Sequence, residues 1–301
     1  METKSSSIQV PSAEELIETT RPTSLLIAQF FLFPLIIIAI CVGIFLLFGY
    51  LTYEQKTAGE YLNDVKTGSN ICCRWQSAYE LSNIISSQKE KLRSTGFVND
   101  LIKVYQSSRD EDQRVRRYLA LTMGHLGDPR AVPALVEGLG DADVENQIYV
   151  LWALGSIGDK AAVPDILKKL SSPDPGLRRT AAYVLGAIKD PSATRDLQIA
   201  LNDSSDDVRW NAAMALAQMN DASGADVLMN LIDRNYLDSL QGITAEQKGE
   251  LLINAVKCLG LLKFRAAHDK IIALSRNDPD LAVRDASLEA LKRFQMSYKP
   301  N

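Results

Sequence analysis

The chain has 301 residues, 46% of them hydrophobic, with 33 basic and 37 acidic side chains and a formal net charge of −4. That acidic balance excludes a non-specific nucleic-acid binder, which needs a basic excess to neutralise phosphates. Four cysteines exclude a disulfide scaffold, and two histidines, His125 and His268, leave little material for a histidine-rich metal site.

In chain order, residues 1–24 are rich in Ser, Thr and Glu and read as a mobile tail. Residues 25–51 read LLIAQFFLFPLIIIAICVGIFLLFGYL and contain no charge. As a helix they would extend ~40 Å, enough to cross a ~30 Å hydrocarbon layer. The run is too long for the apolar core of a signal peptide, and no small-residue cleavage pattern follows it. Uninterrupted hydrophobicity on every face also disfavours a buried core helix. Pro34 stands in its first third, and Tyr50 and Tyr53 fall where an interfacial aromatic belt would sit. The expectation is a single-pass transmembrane helix over 25–51.

Lys4 and Arg21 on one flank and Lys56 and Lys66 on the other leave the positive-inside rule undecided. Cys72, Cys73 and Cys258, read as thiols, favour a reducing compartment, hence a cytoplasmic repeat domain. Residues 52–69 are expected to continue the membrane helix as a juxtamembrane helical linker that Gly68 ends.

An internal repeat fills the rest. The tracts VRRYLALTMGHLGD, NQIYVLWALGSIGD, LRRTAAYVLGAIKD and VRWNAAMALAQMND align without gaps, and their final residues Asp128, Asp159, Asp190 and Asp221 are 31 apart. Shorter apolar-periodic tracts, AVPALVEGL, AVPDILKKL and ATRDLQIAL, alternate with them in register. Two helices per 31 residues make a helical hairpin. Further copies lie at 73–82, 251–260 and 283–292, giving seven units. The wider spacings around 84–97 and 233–249 imply polar, loop-like insertions.

The recurring V-R-x-x-A-x-x-x-L-G-x-x-G-D-x-x-A-V-P-x-L pattern resembles HEAT repeats, of the short HEAT-like type also seen in phycobilisome lyases. The resemblance covers residues 70–297, with 298–301 left as a short C-terminal tail. It implies an α-solenoid of about seven hairpins, which with the N-terminal transmembrane helix expected from 25–51 makes an all-α fold. For function it implies little, because a fold does not fix an activity.

In a ten-residue register that starts at Val115, positions 1, 5, 6 and 9 are apolar, as one buried helical face requires. Glycine at position 10 (Gly124, Gly155, Gly186) lets neighbouring helices approach closely. Position 2 is arginine in Arg74, Arg116, Arg178, Arg209 and Arg284. Acidic residues precede the second helices: Asp112, Asp143, Asp174, Asp207 and Asp280. An aspartate there can cap the helix and accept a charge-assisted bond from a neighbouring arginine. By the resemblance, these groups form a structural ladder between repeats.

Positions 3 and 7 lie four apart on one helix face. Here they read Trp75 and Tyr79, Arg117 and Leu121, Ile148 and Trp152, Arg179 and Tyr183, Trp210 and Met214, before fading to Ile253/Lys257 and Asp285/Glu289. The resemblance places them on the concave face, where Trp, Tyr and Arg would suit a partner-binding stripe centred on repeats one to five. The same spacing is compatible with core packing or with a small-ligand or pigment site.

No phosphate-cradling loop, nucleophile elbow or H-E-x-x-H helix occurs. No catalytic residue, metal or cofactor is therefore expected. His125 and His268 read as helix-end and surface residues. Residues 52–301 carry 31 Lys and Arg against 33 Asp and Glu, which is no nucleic-acid groove. Together these features indicate a non-enzymatic, membrane-anchored scaffold that binds a protein partner, such as an accessory subunit of a membrane complex. The alternative is a lyase-like chaperone or carrier of a chromophore or apolar ligand.

Overall fold

The computed structural model describes residues 32–52, 56–68, 71–93 and 96–295. The expected tails at 1–24 and 298–301, residues 25–31 of the apolar block, and Tyr53 lie outside the described residues. The chain divides into two compact units, Met1–Lys56 and Thr57–Asn301.

In the first unit, α1 (Phe33–Thr52) is a 20-residue helix with no acidic or basic residue. Pro34 is its second residue, a position where the missing N–H is no loss, so it does not interrupt the described helix. Its side chains are described as far as Phe48, and all of them are exposed. Among the described residues no helix is long and apolar enough to cross a membrane. The structure therefore does not show the expected span over 25–51.

The second unit is all-α among its described residues, and its helices pair into seven hairpins. The first pair is α2 (Ala58–Thr67) with α3 (Ile71–Arg93). Then follow α4 (Phe97–Ser107) with α5 (Gln113–Leu126), and α6 (Val132–Gly138) with α7 (Val144–Ile157). Next come α8 (Val163–Lys169) with α9 (Pro175–Ile188), and α10 (Thr194–Ala200) with α11 (Asp206–Gln218). The sixth pair inserts a short helix: α12 (Ala225–Leu231), α13 (Arg234–Ser239) and α14 (Ala245–Leu262). The last is α15 (His268–Asn277) with α16 (Leu281–Gln295).

Two sequence expectations change here. The juxtamembrane linker is not a continuation of α1: α2 is a separate helix of the first repeat. Thr57 and Glu60 form a reciprocal capping box at its start, and Ala58, Leu62 and Val65 are buried. Gly68 ends α2 with φ −58, outside the left-handed region. Nor are the insertions simply loops. The first lengthens α3 to 23 residues, and the second forms α13 and the start of α14. The lengthened α3 brings Arg93 to the carbonyl of Gly127, at the C-terminal end of α5, where a cation meets the negative pole of the helix.

The long helices pack on one another in sequence, while each short helix packs mainly on its own long partner. Glycine makes this close row possible. A Cβ on Gly124 would lie 2.7 Å from the Cα of Ala153, and one on Gly186 would lie 2.7 Å from the Cα of Ala215. The expected reason for glycine at position 10 is thus seen directly. The core lies between the two rows, with Leu119, Met123, Leu151, Leu154, Leu185 and Leu216 each at most 1% exposed. Each such side chain contributes ~1.5–3 kcal/mol by leaving water.

The 31-residue aspartates have a definite task. Asp128, Asp159, Asp190 and Asp221 each accept the backbone N–H two residues on, at 3.0, 2.9, 2.9 and 2.7 Å. Each thereby caps the 3-10 turn that opens the next short helix. The residue just before each aspartate is left-handed: Gly127, Gly158, Lys189 and Asn220 have φ of 66, 72, 56 and 62. One left-handed residue ends a helix and the aspartate after it starts another.

Candidate functional site

The expected ladder exists, but its rungs use other carboxylates. Arg116 Nε and Nη2 donate to the two oxygens of Asp141 at 2.6 and 3.2 Å, and its Nη1 donates to the Tyr105 carbonyl at 2.8 Å. Arg178 Nε and Nη2 donate to Asp203, both at 2.8 Å. This bond holds the Asp203 carboxyl below the usual carboxylate range, against the raising effect of burial. Neither Asp141 nor Asp203 was singled out in the sequence, although each stands 25 residues after its arginine. Where position 2 is Gln147, the residue 25 further on is Ser172, so arginine and aspartate are replaced together.

The aspartates expected in the ladder do different work. Asp112, Asp143 and Asp174 cap α5, α7 and α9 by accepting N–H groups at 2.9, 3.0 and 2.9 Å. Asp280 accepts from Ala282 N at 2.8 Å. Asp207 does not cap; it lies in the first turn of α11, whose N-cap is Ser205. Arg74 pairs with Glu111, and Arg209 pairs with Asp206 within its own helix. Arg284 makes no ladder bond: its Nε is buried without a hydrogen-bond partner.

The stripe also divides. Arg117 and Arg179 are not free anchors. Arg117 pairs with Asp143 at 2.9 Å and Glu145 at 2.6 Å, and Arg179 reaches Asp207 at 3.7 Å. Both link one repeat to the next. Trp210 is 3% exposed and shares a cluster with Ile232, Leu237 and Leu252, so it is a core residue and not a docking residue. Trp75, Leu121, Ile148 and Met214 are half-buried. Arg114 lies 4.8 Å above the Trp75 ring, a cation–π contact.

What remains open is aromatic. Tyr79, Trp152 and Tyr183 are 41, 42 and 45% exposed. The Trp152 and Tyr183 rings, from α7 and α9, lie 4.9 Å apart at 51°. Tyr79 packs its ring edge-to-face with Tyr118, centroids 5.3 Å apart. Beside Tyr183 opens a recess of about 460 Å³ across α9, α11, α14 and α16. Met214, Ala215, Cys258 and Leu261 give it apolar walls, and Asn211, Gln218, Asn254, Lys257, Glu289 and Arg293 supply polar groups. It spans repeats four to seven, further along the chain than the fading sequence stripe suggested. Burial pushes the Cys258 thiol up to about 11, which removes it as a nucleophile at neutral pH.

His125 Nδ1 lies 3.0 Å from the Ser82 carbonyl, tying α5 to α3. His268 packs edge-to-face on Phe294. Among the described residues, no group of three His, Cys, Asp or Glu side chains could hold a metal ion.

Residues 98–170 and 163–247 match the HEAT repeats family model. In fold the chain is similar to a structure of the CpcE–CpcF complex of phycocyanin lyase from Nostoc sp. PCC7120. That match has 20% identity and TM-score 0.55, over 82% of this chain and 91% of that one. A designed armadillo repeat protein in complex with the peptide (KR)4 aligns at 16% identity and TM-score 0.44, over 79% of this chain and all of that one. At 20% identity the likeness to the lyase complex concerns the fold alone. No curated protein sequence matches the chain.

Proposed function

Taking a HEAT-repeat solenoid as the premise, we propose that the chain is a non-enzymatic scaffold held at a membrane, an accessory subunit that presents its long-helix face to a protein partner. One observation carries the binding half of this reading. Tyr79, Trp152 and Tyr183 stay 41–45% exposed along a row of helices whose other large apolar side chains are mostly buried. Rigid aromatic side chains offer large contact area at low entropic cost and dominate interface energetics. The ladder beneath them fixes their helices before any partner arrives, which lowers the ordering cost of binding.

Support for the membrane half is the chemistry of α1. Its 20 residues carry no charge, and its described apolar side chains are 45–77% exposed. The uncharged sequence 25–51 is longer than the described helix and would reach ~40 Å if helical throughout. An anchor raises the effective concentration of the scaffold near other membrane subunits. The cytoplasmic assignment of the repeats is tested by thiol labelling of Cys72 and Cys73, which are exposed; Cys258 is buried and cannot report. In intact cells an impermeant maleimide should leave them unlabelled. Labelling would place the repeats on the other side.

The partner reading is tested by mild-detergent isolation of the full chain and of Trp152→Ala/Tyr183→Ala. The variant should lose the co-isolated subunits while keeping its melting temperature within a few degrees. Undiminished co-isolation refutes it. A second reading, a carrier of a chromophore or apolar ligand, is favoured by the 460 Å³ recess with its Tyr183, Met214 and Leu261 walls. Visible or near-ultraviolet absorbance beyond that of the aromatic residues would support it, and a colourless, ligand-free preparation counts against it.

A further inference from the structure

The interface between successive repeats has a repeated chemistry. At two of these interfaces the arginine at position 2 of a long helix takes a carboxylate from the turn before the next long helix, 25 residues on: Arg116–Asp141 and Arg178–Asp203. One helical turn later, position 6 is buried: Leu151, Ala182 and Val256 are each 0% exposed. Ala213 at this position shows what covers it, because a Cβ on Gly224 of the next repeat would lie 2.7 Å from its Cα.

Among the described residues, helix α16 carries the same two groups with no further repeat over them. Arg284 stands at position 2, and its Nε is withdrawn from water with no hydrogen-bond partner. Leu288 stands at position 6 and is 49% exposed. Leu281, at the start of the helix, is 66% exposed. Solenoid repeats that face water at an end normally carry a polar outer surface. A buried guanidinium N–H without an acceptor is a cost that a bound carboxylate removes.

We propose that this face of α16 docks a helical hairpin of a partner protein that carries a carboxylate in the turn before its second helix. The face continues an interface that the chain already makes with itself, so the geometry of the missing piece is known from Asp141 and Asp203. A second copy of this chain does not fit as the occupant. Residues 65–70, the end of α2 and the sequence that follows it, read VKTGSN and hold no carboxylate for the rung. The proposal is independent of the aromatic face.

The test uses the full chain in mild detergent, with the residues after Phe294 replaced by a second copy of residues 189–220. This appends one hairpin and sets a copy of Asp203 at the ladder spacing from Arg284. The extended chain should unfold in one transition, several degrees above the original. Changing the copied aspartate to asparagine, or making Arg284→Ala in the extended chain, should remove at least half of that gain. In the original chain Arg284→Ala should leave the melting temperature unchanged or raise it. A second, lower transition, or an equal loss from Arg284→Ala in both chains, overturns the proposal. Sedimentation of the original chain should show no self-association. A dimer that Leu288→Glu dissociates would overturn the assignment to a different partner.

Discussion

The Arg116–Asp141 rung gives a quantitative test of how the solenoid is held together. Its side chains are 4 and 8% exposed, so the pair is screened very little by water. Asp141→Ala leaves the guanidinium with the Tyr105 carbonyl and the Tyr105 ring, 4.2 Å away, but no counter-charge. Removing one partner of a buried pair costs ~3–5 kcal/mol. For a repeat unit of this size each kcal/mol lowers the melting temperature by ~2–4 °C, so a fall of ~10 °C is expected. Arg116→Met should cost a similar amount, because it strands the Asp141 carboxylate. The double variant Arg116→Met/Asp141→Leu should lose clearly less than the sum of the two. Arg209–Asp206 is the control: its side chains are 31 and 46% exposed, and Asp206→Ala should cost at most ~1 kcal/mol. Calorimetry or circular dichroism in mild detergent reads all of these. The reasoning fails if Asp141→Ala costs no more than Asp206→Ala, or if the double variant is additive.

Trp210→Ala should destabilise the repeats by ~3–5 kcal/mol through the cavity it leaves, whereas Trp152→Ala should cost ~1 kcal/mol or less; equal costs in thermal unfolding would place both in the core or both outside it. Lys189 and Lys263 adopt left-handed φ of 56 and 50, so Lys189→Gly and Lys263→Gly should each raise stability by ~0.5–1 kcal/mol, and a lower melting temperature would contradict the geometry. The carboxyls of Asp112, Asp128 and Asp203 are held low, first of all by bonds from Arg114, Arg130 and Arg178. Depressed carboxyls stabilise the fold fully above the unfolded value near ~4 and lose that contribution as the pH falls through the folded values. The melting temperature should be flat from neutral pH to about 5 and fall below about 4. A midpoint that holds constant down to pH ~2 would remove these bonds from the account.

Much of the architecture was legible because the repeat imposes a period on every element. The 31-residue aspartates, the glycines and the helix-two arginines mark the units in the sequence itself. The ladder partners were harder to read. Asp141 and Asp203 stand in turns two residues or more before their helices, and the 25-residue offset disappears wherever an insertion intervenes. Helix α2 lay outside the repeated tract, yet its Thr57–Glu60 capping box and the buried Leu62 and Val65 were a local signal. Trp210 shares its register position with Trp75. It is buried because the sixth repeat inserts α13, whose Leu237 joins the same cluster, a packing event that no register encodes. Arg117 and Arg179 looked like stripe residues because position 3 also faces the N-terminus of the next long helix, where carboxylates collect.

The most direct test is quantitative co-isolation of the full chain in mild detergent from its own cells, with Trp152→Ala/Tyr183→Ala beside Asp206→Ala. The account predicts that the aromatic variant, still folded, loses its co-isolated subunits while Asp206→Ala keeps them. Equal recovery of the same subunits by both variants would contradict it.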